Sequence, residues 1–199
     1  MLKKYDIVEL PEQFLNKTFR EFSKTEASEY LSWNNSIQDE RISCLESSVR
    51  CTHPKWNADF SKESLVVLYD WFEKNVSFRS KTSEEYNADL NKLEKTPLLK
   101  NAIEVSDKTL DDRTVSICFD IGIYFARCID CELGNTHWKY IEKPKSDIFY
   151  HQPVLTTDRA KIDLNPRNII EVCARKTLEG LQNKQTFVQL YDIWIKMLS

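Results

Sequence analysis

Residues 114–155 read TVSICFDIGIYFARCIDCELGNTHWKYIEKPKSDIFYHQPVL, and the fold class follows from this stretch. Cys118, Ile121, Gly122, Phe125 and Ile129 recur at i, i+3, i+4, i+7 and i+11, which is one face of an α-helix. The helix is predicted to start near Thr109, with Asp111 and Asp112 in the first turn where carboxylates suit the dipole. Leu133-Gly134-Asn135 is a C-cap signal. Gly122 in mid-helix costs roughly 1 kcal/mol relative to alanine, and so predicts a close neighbour at that point. Residues 137–142 then alternate as a strand with Trp138 and Tyr140 on one face, residues 143–147 turn, and residues 148–155 return as a second strand. Pro153 confines the end of that strand to an edge.

Upstream, residues 1–10 read as an extended or irregular lead-in, and Phe14, Leu15, Phe19 and Phe22 place a short helix at 12–22. Ser23 with Glu26 makes a capping box that opens a helix to about Arg50, bent at Asn34–Asn35. Ser61 or Asp59 caps a third helix over 62–76, whose wide face of Leu65, Leu68, Tyr69 and Phe72 implies burial on several sides. Residues 77–107 are the most polar third. Thr82 and Glu85 cap a short helix there, Pro97 ends it, and the segment reads as a mobile insertion or a partner-facing arm, the plainer alternative being a solvated loop with no role. Downstream, residues 156–164 add at most a third short strand. Asn165-Pro166 starts a helix that Gly180 ends, and Thr186 with Gln189 opens a last helix carrying Phe187, Leu190, Tyr191 and Trp194. The expectation is a single α+β domain, mostly helical: helices over 12–107, the central helix and a small antiparallel sheet over 108–164, and C-terminal helices over 165–198.

At 199 residues, 41% hydrophobic and 30% charged, the chain has the composition of a globular protein with one well-buried core. Its three glycines, Gly122, Gly134 and Gly180, are too far apart for a phosphate-cradling loop. A net charge of −3 argues against nucleic acid as the partner. No apolar run reaches the length of a signal peptide or a membrane span, so the cysteines are expected as free thiols in the cytoplasm.

No motif predicts a catalytic centre, a metal or a cofactor. Cys128-x-x-Cys131 has no second ligand pair and falls late in a helix already under way, so it reads as two helix-end thiols. His137 and His151 with Asp147 reach only the minimum for a zinc site. Asp120, Tyr124 and Arg127 share a side of the central helix, and the simplest account is an ion pair that pins Asp120, to Arg113 or Lys139. The alternative is an enzyme with a polar pocket of Asp120, Tyr124, His137 and His151 between helix and sheet. Glu84, Glu85 and Asp89, with Asp111 and Asp112, form an acidic face that would attract a basic protein partner. The aromatic strands, with Trp138, Lys139, Tyr140 and Tyr150, offer a second contact surface or a homodimer seam.

The phrases EASEYLSWNNSIQDERISCL, FSKESLVVLYDWF, FDIGIYFARCI, HWKYIEKPKSDIFYHQPVL and LNPRNIIEV resemble, in that order, a family of small bacterial proteins. Their shared motifs are a Tyr-x-x-Trp helix, a Ser-x-Glu-Ser-Leu helix start, an Asp-Ile-Gly-Ile-Tyr helix and a Trp-x-Tyr-x-x-x-Pro-Lys strand-turn. Two positions depart: Ala126-Arg127 stands where the family tends to have Gly-Glu, and Asn34 where it tends to have Phe. The resemblance implies a cytosolic immunity protein that neutralises a bacterial toxin domain, with no enzymatic activity.

Overall fold

The computed structural model describes residues 5–94 and 104–199. The central helix, α5 (Asp112–Leu133), is buried almost continuously from Ser116 to Ala126. The other helices are α1 (Lys24–Ser36), α2 (Gln38–Arg50), α3 (Ser64–Glu73), α4 (Ser83–Glu94), α6 (Pro166–Leu178) and α7 (Thr186–Leu198). Helices α2, α6 and α7 pack directly on α5, with α3 behind α6 and α7. Among the described residues two antiparallel strand pairs complete the α+β fold, β1 (Phe78–Ser80) with β2 (Lys108–Leu110) and β3 (His137–Tyr140) with β4 (Pro153–Thr156).

Gly122 has the close neighbour its position predicts. A Cβ there would lie 3.0 Å from the Arg167 backbone nitrogen and 3.1 Å from the Pro166 carbonyl carbon. The start of α6 therefore rests directly on the backbone of α5. Asn165 holds that start in place: its side chain accepts from Asn168 N–H at 3.0 Å, and its amide donates to the Gln152 side chain at 2.8 Å. Gly134 ends α5 in the left-handed conformation, φ +67°, donating its N–H to Asp130 C=O at 2.7 Å.

The helix expected over 12–22 is instead two single 3₁₀ turns, Glu12–Phe14 and Phe19–Glu21. Asn16, at φ +63°, turns the chain between them. This lets Phe14, Phe19 and Phe22 fold around Tyr30 as a satellite core, which a continuous helix would splay apart. The Ser23/Glu26 capping box forms. The bend expected at Asn34–Asn35 is a break at Ile37 that divides the long helix into α1 and α2.

The polar arm is tied at its base. Phe78 pairs with Leu110, Arg79 with Thr109 and Ser80 with Lys108, and Thr82 and Glu85 cap α4 reciprocally. Pro97 lies outside the described residues. Because β2 takes residues 108–110, α5 begins three residues later than expected, and Asp111 is its N-cap, accepting from Thr114 N–H at 2.7 Å.

The second strand is shorter than expected. Residues 148–152 form a turn, and Pro153 opens β4 opposite Tyr140 rather than closing a strand. The third strand is reduced to a bridge between Leu155 and Leu164. Thr186 is the first residue of α7 and not its cap, because its hydroxyl is spent on the Gln182 side chain at 2.6 Å.

Candidate functional site

The site begins with a carboxylate that should not be buried alone. Asp120 sits in mid-α5 with 0% exposure. It is paired with Arg41 of α2, not with Arg113 or Lys139 as its position in the sequence had suggested. Arg41 Nε and Nη2 each donate to it at 2.8 Å, and the Tyr5 hydroxyl donates a further bond. Burial outweighs the lowering bonds from Arg41 and Tyr5 and leaves the Asp120 carboxyl raised to about 6, so that it is still largely ionised at neutral pH.

This buried cluster fastens the N-terminal segment to the body. Tyr5, 4% exposed, plugs in through its hydroxyl. Arg41 Nη2 donates to Asp6 C=O at 2.7 Å, and Val8 N–H donates to Ser116 Oγ at 3.1 Å. The segment so held stands apart from the outer face of α2 and forms one wall of an open groove of about 630 Å³. Tyr5, Asp6, Ile7 and Glu9 line one wall, and Ser43, Cys44, Ser47 and Ser48 the other. Two carboxylates and three serine hydroxyls line it, and none of the described residues that line it is basic.

The acidic face expected on α4 is largely neutralised from within. Glu85 is held at about 2 by a two-pronged bond from Arg79, 2.7 Å on each prong, and by the Thr82 N–H. Asp89 pairs with Lys81 and Lys92. Glu84 is exposed and is bonded to Thr82. Asp111 is occupied as the α5 cap and by the Ser77 hydroxyl, while Asp112 is exposed. The strands are less open than their sequence suggested: Trp138 packs half-buried against the core, Tyr140 is half-buried, Tyr150 is 6% exposed, and the exposed Lys139 pairs with Asp163 at 3.0 Å.

The residues of the expected polar pocket each have separate surroundings. Asp120 faces Arg41, and Tyr124 bonds Ser64 and the Phe60 N–H. His137 is exposed near Asp158, 3.9 Å away. His151 is 2% exposed at φ +63°, stacked on Tyr150, with neither ring nitrogen hydrogen-bonded. Arg127 pairs at the surface with Asp39. The six cysteines are free; Cys128 is buried and Cys131 exposed.

One constellation went unread in the sequence. Thr52 Oγ meets His53 Nδ1 at 3.0 Å, and His53 Nε2 meets Asp70 at 3.1 Å. Both imidazole nitrogens are thereby occupied, and Asp70 is also held by Lys74 and Lys184. This chain ties the loop after α2 to α3 and the α6–α7 loop.

The chain matches no family model, no curated protein and no solved structure. Function must therefore be argued from the groove. Nothing local in the sequence marked it, since Arg41 and Asp120 lie 79 residues apart and Tyr5 and Asp120 lie 115 apart. The available signal was a lone aspartate in an apolar helix, which demands a distant cation.

Proposed function

We propose that this protein binds a basic protein partner and neutralises it, as an immunity protein does a bacterial toxin domain in the cytoplasm. The observation that carries the reading is the groove between residues 5–9 and α2, whose lining among the described residues holds the carboxylates of Asp6 and Glu9 and no basic side chain. The resemblance to small bacterial proteins of toxin systems supports the same class of partner. Electrostatic complementarity of this kind acts mostly on association rate and partner choice.

The test has two stages. The tagged protein is used to capture partners from its host, and the main bound chain is identified by mass spectrometry. That chain is then expressed alone and together with this protein. Growth arrest relieved by co-expression, and not relieved by a Glu9→Lys, Ser47→Lys variant, is the expected result. A captured chain that does not impair growth, or relief that survives the charge reversal, overturns the reading.

A further inference from the structure

A separate cavity of about 130 Å³ lies where the last turns of α5 meet β3, β4 and the first residue of α2. Its floor is buried: Ala126 and Leu155 are each 1% exposed, and Gln38 is 8% exposed. Its rim is half-buried and carries one charge of each sign, Arg127 and Asp130, beside Thr136 and Trp138. Three residues apart on one helix, Arg127 and Asp130 have Cβ atoms about 5–6 Å from each other. They are not spent on one another. Arg127 reaches Asp39 at 3.1 Å, and the Asp39 side chain is 93% exposed, where an ion pair is weak. The Asp130 carboxylate accepts the Thr136 hydroxyl at 2.5 Å, and among the described residues no cation pairs with it. The Gln38 amide donates to Asn35 Oδ1 at 3.2 Å, while its carbonyl oxygen accepts no hydrogen bond among the described residues. A buried polar side chain with an unmet acceptor calls for a partner.

We propose that this cavity binds a small α-amino acid. Arg127 takes the carboxylate, which its planar guanidinium suits. Asp130 and the Gln38 carbonyl take the ammonium group. The ligand's two charges are one carbon apart, so both fit between side chains one helical turn apart. Ala126, Leu155 and Trp138 receive the carbon skeleton. Size restricts the ligand further: a cavity of about 150 Å³ takes benzene, so this one takes about five or six non-hydrogen atoms, as in glycine or alanine. A carboxylate without an amine would meet Asp130 unpaired, and an amine without a carboxylate would meet Arg127. Only the zwitterion answers both. The cavity shares no lining residue with the groove of residues 5–9, and the proposal does not rest on what that groove binds.

The probe is L-alanine, titrated while the Trp138 indole N–H resonance is followed, with Trp138→Phe to assign it. Propionate and ethylamine each carry one of the two charges, and phenylalanine carries both on a skeleton too large for the cavity. Alanine should shift the resonance saturably and bind about tenfold or more tightly than any of the three. Arg127→Gln and Asp130→Asn should each weaken alanine binding about tenfold or more. Asparagine at 130 still accepts from Thr136, and an unchanged urea midpoint shows that the site, and not the fold, was lost. Absence of a saturable shift with alanine, equal binding by propionate or ethylamine, or full alanine affinity in either variant overturns the proposal.

Discussion

Replacing Asp120 with alanine should be the most damaging single change in the α2–α5 interface. The substitution removes three accepted bonds and leaves Arg41, 5% exposed, with one remaining bond to Asp6 C=O and no buried counter-charge. Breaking a buried ion pair from one side costs about 3–5 kcal/mol. Tyr5→Phe removes one charge-assisted bond and should cost about 1.5–3 kcal/mol. The paired replacement Arg41→Met, Asp120→Leu removes both charges and leaves apolar groups of similar size, so it should recover most of the loss. Urea denaturation of wild type, Arg41→Met, Asp120→Leu and the paired replacement gives the cycle directly, with the coupling read from the midpoints at constant slope. Amide exchange at Val8 should rise by about the same free energy in the Asp120→Ala protein as the segment detaches. The reasoning is refuted if Asp120→Ala costs under about 1.5 kcal/mol, or if the double replacement is as destabilised as the single one.

Gly122→Ala should destabilise despite a helix-propensity gain of about 1 kcal/mol. The added methyl meets the backbone of Arg167 and Pro166, and moving α6 away should cost about 1–3 kcal/mol; a raised melting temperature would contradict this. Asn34→Leu should stabilise by about 1 kcal/mol, since the Asn34 amide is 4% exposed, lines a small cavity of about 30 Å³, and has only a 3.4 Å contact with Asn35. Thermal unfolding checks the sign. Asp70 is held well below the usual carboxylate range by Lys74 and Lys184 and then by His53. Its contribution is therefore present above the unfolded carboxylate value of about 4 and lost as pH falls further. The stability gap between wild type and Asp70→Asn should be larger at pH 7 than at pH 3, and a gap independent of pH would exclude the mechanism.

Local rules carried much of this fold. The Ser23/Glu26 box, Asn165-Pro166 and Gly134 each satisfy backbone groups within a few residues of themselves, so their meaning is complete in the sequence. The apolar period of 118–129 was legible for the same reason. The failures lie where distant chain decides. The phenylalanines at 14, 19 and 22 fit a helical period, yet they satisfy Tyr30 better from two separate turns. Strands β1 and β2 are three residues each and 28 residues apart, with too little length to show alternation. The acids of α4 looked available because the sequence does not show that Arg79 and Lys81 curl back onto them. The groove needed a lead-in segment, α2 and a buried aspartate of α5 at once.

The 115 residues between Tyr5 and Asp120 also carry a consequence for synthesis. The first wall of the groove leaves the ribosome 115 residues ahead of the aspartate that anchors it. Until α5 has emerged and closed on α2, the Tyr5 hydroxyl and the Val8 N–H lack their partners, so the groove is assembled only in a chain whose residues 5–9 have met α5.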